Sequence, residues 1–329
     1  MRISVFPKGE MEAIATDKTM TVFEWITLAR TLPIEGLELY SRFFWDRPAG
    51  FVEAVGDALA AADFEMPMMC SSPDFTHPDP EVRKRELDLQ RDIMLVTHQL
   101  GGAGSSTRVL SGQRHPGVSV EQGLDWATEA IQELLPLAHE LDITLGLENH
   151  YKDGFWAYPE FAQRPEVFLA LLDRIEDRTH FGVQFDPSNA ITAGTNSADF
   201  LELVIDRVVT MQASDRRLAP GATLESLRGS DGTIGYSPDL QHGVIGEGLN
   251  DYDRIFNTLV GAGYDGWISV EDGVNGMHEM RASVEFLREA RDRYFGGSTA
   301  LHVENHERAR AAAGERSLDK PNLEKGQNR

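Results

Sequence analysis

Cysteine is almost absent: among 329 residues only Cys70 is present. One thiol cannot build a disulfide framework or a thiolate metal cluster within the chain. Basic charge is also scarce, with 31 Lys and Arg against 53 Asp and Glu and a net charge of −22. The acids are spread along the chain, so the surface repels phosphate backbones and no nucleic-acid partner is expected. Long apolar runs are missing too. No stretch approaches the roughly 20 apolar residues of a membrane span, and the opening "MRISVFPKGEMEA" lacks a signal-peptide apolar segment. A soluble, cytoplasmic protein is the expectation. Finally, no glycine-rich fingerprint follows the first strand-like run, which argues against a dinucleotide-binding sheet.

What the sequence does hold is a rhythm. Short β-rich runs predict strands at 2–6, 36–40, 67–71, 106–111, 143–148, 181–186, 208–213 and 267–272. Longer amphipathic segments separate them, among them "TVFEWITLARTL", "EVRKRELDLQRDIMLVTHQL" and "VEQGLDWATEAIQELLPLAHELD". Pro136 in the last predicts a kink or a break. Eight strand–helix units over residues 1–297 predict an α/β fold, a (β/α)₈ barrel, with a doubly wound sheet as the rival. Two segments fall outside the rhythm. Residues 216–248 are glycine-rich and aperiodic, and read as an inserted loop on the side where barrel enzymes keep their substrate loops. The tail 298–329 is too polar to fold alone, so it is expected to be disordered or to lie along a partner.

Side-chain alternation turns these strands into a site. In the fifth strand Ile143, Leu145 and Leu147 share one face, while Thr144, Gly146 and Glu148 share the other. The sixth sets Phe181, Val183 and Phe185 against Gly182, Gln184 and Asp186. The seventh sets Val209 and Met211 against Thr210 and Gln212, and the eighth Ile268 and Val270 against Ser269 and Glu271. If the apolar sets face the helices, then Glu148, Asp186, Gln212 and Glu271 converge on the carboxyl-terminal mouth of the barrel. Carboxylates crowded into one small space need a compensating cation. An oxygen-only set favours Mn²⁺ first, then Mg²⁺, over Zn²⁺. The bland reading is that each residue is an ordinary hydrogen-bonding group at a strand end. "GLENHYKDGF" continues the alternation past Glu148 to His150 and Lys152. His150 is thereby a candidate base, and Lys152 is a substrate contact or a solvated loop charge.

These residues resemble the xylose-isomerase-like barrels, the group of sugar isomerases, ketose 3-epimerases and inosose dehydratases that shares its fold with the apurinic-site endonucleases. The resemblance implies metal ligands at the ends of strands five to eight, matched in order by Glu148, Asp186, Gln212 and Glu271. "GVIGEGLNDYDRIF" is similar to the family's glycine loop, and "GWISVED" to its last strand. Two departures stand out: Gln212 replaces a histidine ligand, and Asn189 in "FDPSNA" replaces a substrate-binding histidine. The endonuclease branch needs a histidine-rich zinc site that this chain lacks.

The "ENHYKDG" variant is similar to the larger subunits of bacterial C-glycoside deglycosidases. That resemblance implies elimination from 3-oxo-C-glycosides, carbon–carbon bond cleavage beside a small β-rich partner subunit. His150, Glu148 and Glu271 are then the catalytic candidates, and Lys152, Asn189, Glu38 and Arg216 the substrate contacts. Phosphate recognition would draw on Arg216 and Arg217 alone. The alternatives are a sugar (phosphate) isomerase or ketose 3-epimerase, in which Glu148 and Glu271 work from opposite faces, and a sugar-binding module without turnover. A barrel mouth covered only by an open loop also favours an oligomer, since proton abstraction benefits from excluding water.

Overall fold

Strands that bury one face under helices and the other along a closed axis make a parallel barrel, and this chain does so. The computed structural model describes residues 1–223 and 237–296. In chain order its strands are β1 (Arg2–Val5), β2 (Gly36–Leu37), β3 (Leu39–Tyr40), β4 (Met68–Cys70), β5 (Ser106–Val109), β6 (Thr144–Glu148), β7 (Phe181–Phe185), β8 (Val208–Ala213), β9 (Asp215–Leu218), β10 (Leu240–Gly243) and β11 (Trp267–Val270). All except β9 and β10 belong to one parallel sheet in the order β2-β1-β11-β8-β7-β6-β5-β4-β3. β2 pairs with β1, and β3 pairs with β4. They are two halves of the second barrel position, joined by Glu38, whose N–H donates to the Val5 carbonyl at 2.9 Å. The nine strands thus occupy eight positions around the ring.

The apolar alternation has its physical counterpart in the layer beneath the helices. Leu145, Leu147, Val183, Phe185, Met211, Ile268 and Val270 are wholly buried there. Each such side chain contributes about 1.5–3 kcal/mol relative to exposure. The helices begin where the sequence supplies caps. Thr21 and Glu24 form a reciprocal capping box ahead of Val22–Ala29, and Ser119 accepts the Gln122 N–H ahead of Val120–Leu141. Pro136 does not break that second helix, which runs on to Leu141. Among the described residues no helix is long and apolar enough to cross a membrane.

The alternation fails at one residue. Val209, expected on the outward face with Met211, lies against the same side of Gly182 as a side chain there would. The β7–β8 register shifts between Val183 and Gln184, so that Val183 pairs with Val208 and Gln184 with Thr210. Val209 is the extra residue of this bulge. A Cβ on Gly182 would sit 2.4 Å from Val209 Cγ1, so glycine is what admits it. Beyond the bulge, Gln212 regains the expected inward parity.

The segment expected as a plain loop, 216–248, is better built than its composition suggests. β9 and β10 pair antiparallel, from Asp215 with Gly243 to Leu218 with Leu240. Residues 224–236 of that segment and the tail 298–329 lie outside the described residues. Asp215 anchors the return of the chain. Its carboxylate accepts the N–H groups of Gly246, Gly248, Leu249 and Asn250 at 3.0–3.2 Å. A Cβ on Gly248 would lie 2.3 Å from Asp215 Oδ1, so this wrap requires glycine. Asp215→Ala strands buried donors and should lower the unfolding free energy by about 2–4 kcal/mol in urea titration. A change within about 0.5 kcal/mol, the usual range for an ordinary surface substitution, would show that the wrap carries no stability.

Candidate active site

Three carboxylates meet at the carboxyl-terminal mouth. Glu148 is the last residue of β6, while Asp186 and Glu271 directly follow β7 and β11. Each offers an oxygen, and the three oxygens lie within 4.8 Å of one another. All three residues are buried. Asp186 doubles as the N-cap of the short helix Pro187–Thr192. Its Oδ1 accepts the hydroxyl of Ser214 at 2.6 Å, the N–H of Asn189 at 3.0 Å and the hydroxyl of Ser188 at 3.2 Å. Among the described residues its Oδ2 accepts no hydrogen bond. Glu148 is fully engaged: Arg108 Nη1 donates to Oε2 at 2.6 Å, and Asn189 Nδ2 donates to Oε1 at 2.8 Å. Glu271 Oε1 accepts from Lys8 Nζ at 2.7 Å.

Burial and mutual repulsion set the charges here. Burial pushes the Asp186 carboxyl well above the usual carboxylate range, and Glu271 and Glu148 push it further. Burial also raises Glu148, against the pull of His150 and Arg108. Glu271 goes the other way. Burial would raise it, but the Lys8 ammonium and a hydrogen bond from Asp186 hold it down to about 2. Burial opposes the charge on Lys8 itself, and Glu271 more than restores it. Two cations, Arg108 and Lys8, are therefore built into the walls of the carboxylate cluster.

Gln212 sits one layer below. Its Oε1 accepts from Gln184 Nε2 at 2.6 Å, and its Nε2 donates to Glu38 Oε2 at 2.7 Å. Glu38 is wholly buried, and burial lifts its carboxyl to about 8 against the hydrogen bonds of Gln212 and Ser269. Glu38, expected as a substrate contact, is therefore a buried residue of the floor beneath, bonded to Gln212.

His150 lies beside the cluster. Its ring stacks on Tyr151 with centroids 5.1 Å apart and meets the edge of Trp156 at 6.3 Å. Burial lowers its pKa, with Glu148 pulling the other way, so the neutral imidazole is favoured. Among the described residues its Nδ1 has no hydrogen bond, and it stands 3.7 Å from Glu160 Oε2, which has none there either. The other Glu160 oxygen accepts both the hydroxyl and the N–H of Ser111. Lys152 has no ion pair among the described residues and is half-buried. Asn189 joins Glu148 to Asp186. Arg216 is buried in β9 opposite His242, its guanidinium 5.4 Å from the Tyr151 ring centre.

Three groups escaped sequence reasoning: Lys8, Arg108 and Glu160. Arg108 carried a signal, since a charge in the middle of the run "STRVLS" needs a buried partner. Lys8 lies just past the first strand, at the same mouth as the ligand candidates. Glu160 sits in an irregular stretch where no periodicity applies.

Residues 26–290 match the family model described as xylose isomerase-like TIM barrel. The chain belongs to that family. It is 27% identical over 189 residues to an uncharacterized protein of Methanocaldococcus jannaschii, covering 53% of this chain and about half (54%) of the relative. The fold is shared with a D-tagatose 3-epimerase-like protein (TM-score 0.68, 18% identity, 91% of this chain and 100% of that one). It is likewise shared with the IOLI protein solved with a binding zinc atom (0.67, 12%, 89% and 99%). A third is the 3-keto-D-glucoside 4-epimerase of E. coli (0.62, 15%, 88% and 99%).

Glu160 gives the site a pH signature. Burial lifts its carboxyl to about 8, against the two Ser111 hydrogen bonds. A carboxyl raised in the folded state contributes stability that is complete below its unfolded pKa, about 4.3, and is lost as pH rises through the folded value. The wild type should therefore lose melting temperature between about pH 4.3 and 8 relative to Glu160→Gln, which cannot ionise. Parallel melting curves for the two proteins across that window would contradict the protonated state of Glu160.

Proposed function

We propose that this protein is a metal-dependent enzyme that removes a proton from the carbon beside a sugar carbonyl. The observation carrying the reading is the convergence of Glu148, Asp186 and Glu271 around a buried Asp186 oxygen that accepts no hydrogen bond among the described residues. An oxygen-only donor set with one unsatisfied buried carboxylate oxygen fits a divalent cation. With such an ion, Mn²⁺ first and Mg²⁺ next, held by these three residues, the sugar carbonyl would be polarised and the neighbouring C–H acidified; Gln212, expected as a fourth ligand, lies one layer below with its Oε1 taken by Gln184. Zinc in one protein of the same fold supports a divalent ion.

The chain's own residues do the rest. His150, neutral and within the same wall, takes the proton. In a 3-oxo-glycoside that proton is on C2. The C–H electron pair becomes the C1–C2 double bond, and the C1–aglycone bond breaks with its pair leaving on the aglycone. Lys152 supplies the proton the aglycone needs. Asn189 and Arg216 hold the sugar. This elimination is the C-glycoside deglycosidase reading, in which the chain would work beside a small β-rich subunit.

A sugar isomerase or epimerase is the second reading, and the names of the structural relatives favour it. Two-base epimerisation would ask Glu148 and Glu271 to trade protons across one carbon. Both Glu148 oxygens are already engaged by Arg108 and Asn189, and Glu271 is tied to Lys8. One-base chemistry through His150 suits those ion pairs better.

Deuterium uptake tests the shared step. Incubation of the Mn²⁺-supplemented protein in D₂O with 3-oxo-glucosides and with free ketoses should exchange the carbon-bound proton next to the carbonyl, read by NMR. His150→Ala should slow exchange or turnover by roughly 10²-fold while melting temperature stays near wild type. No exchange with either substrate class, or an unimpaired His150→Ala, would overturn the assignment. Released aglycone distinguishes elimination from isomerisation.

A further inference from the structure

The two cations in the wall of the carboxylate cluster are held very differently. Arg108 is locked. Its Nη1 donates to Glu148 Oε2 at 2.6 Å, its Nη2 to Ser72 Oγ at 2.9 Å and its Nε to the Ser71 carbonyl at 2.8 Å. A guanidinium tied at three nitrogens cannot leave without stranding buried acceptors. Lys8 has a single tie: among the described residues its ammonium makes one side-chain hydrogen bond, to Glu271 Oε1 at 2.7 Å. Its side chain is 16% exposed, against 5% for Arg108. A compact charge on a flexible four-carbon stem can turn out to solvent from such a position.

The sequence sets Lys8 there through its neighbours. It lies in "FPKGE", just past β1, and Gly9 packs against the loop that follows Glu271. A Cβ at Gly9 would lie 2.5 Å from the Gly273 carbonyl oxygen, so glycine lets the two loops meet. That approach carries the ammonium to the acid across the seam where β1 pairs with β11. An ion held by Glu148, Asp186 and Glu271 would have to share Glu271 with this ammonium, and like charges on one carboxylate repel. With neither cation present, the three buried carboxylates would repel one another instead. Lys8 therefore stands in for part of the charge a metal brings. We propose that Lys8 is a built-in competitor for the metal: it holds Glu271 in the metal-free protein, and a divalent ion binds by displacing it. The proposal rests on the metal centre proposed above. The ion gains the Glu271 carboxylate but must break the Lys8 ion pair, so the site loads and empties reversibly while the barrel stays folded.

Lys8→Gln keeps a donor for Glu271 and loses the charge. Calorimetric titration of the metal-free, full-length protein with Mn²⁺ should show this variant binding at least about tenfold more tightly than the wild type, while its metal-free melting temperature falls. Added Mn²⁺ should then raise its melting temperature by more than that of the wild type. Lys8→Arg, which keeps the charge, should not tighten binding. A second measurement needs no neutral variant. In wild type carrying ¹⁵N-labelled lysine, the Lys8 ammonium should give a slowly exchanging signal, assigned by its absence in Lys8→Arg, that disappears once Mg²⁺ saturates the site. Wild-type or weaker Mn²⁺ affinity in Lys8→Gln, equal tightening in Lys8→Arg, or a Lys8 signal that persists at saturating Mg²⁺ would each overturn the proposal. Asp186→Asn separates this failure from that of the metal centre. Binding lost there but unchanged in Lys8→Gln leaves the centre standing without a competitor, whereas no binding by either wild type or Lys8→Gln overturns both.

Discussion

The structure turns on the repulsion among three buried carboxylates whose oxygens lie within 4.8 Å of one another. Each would be costly alone in so dry a place, and together they are worse. The barrel answers with positive charge from opposite sides. Arg108 on β5 neutralises Glu148, and Lys8 beyond β1 neutralises Glu271. Asp186 is left between them, tied down through one oxygen, while the other accepts no hydrogen bond among the described residues.

The surrounding construction serves to hold this arrangement still. The short helix begun by Asp186 brings Asn189 across to Glu148, so one residue ties the two acids together, its backbone N–H on Asp186 and its side-chain amide on Glu148. Gln184, Gln212 and Glu38 form a hydrogen-bonded floor beneath. The wrap of four backbone N–H groups around Asp215 returns the chain after β10 to the barrel, on the same side as Arg216. Rigid support of this kind keeps reacting groups within the small tolerances that catalysis requires.

Much of this was legible in the sequence, for identifiable reasons. Strand periodicity is a strong signal when one face is buried, so all eight barrel positions and the inward parity of Glu148, Asp186, Gln212 and Glu271 could be read directly. Parity fails where a residue is inserted, and Val209 fell at a bulge that only Gly182 hinted at. Lys8, Arg108 and Glu160 were hidden for different reasons: Lys8 meets Glu271 only through closure of the ring, Arg108 meets Glu148 across neighbouring strands, and Glu160 lies in an irregular stretch. The ribbon of β9 and β10 was masked by glycine-rich composition, although its pairing needs only backbone groups.

The most direct test of the account is titration of Mn²⁺ into metal-free protein, followed by calorimetry or by loss of the free-ion paramagnetic signal. One site per chain in the wild type, lost or weakened at least about tenfold in Asp186→Asn with the fold intact, is the predicted result, because the substitution removes the unsatisfied carboxylate oxygen and its charge. No saturable site in the wild type, or equal binding by the variant, would contradict a metal centre at these three carboxylates.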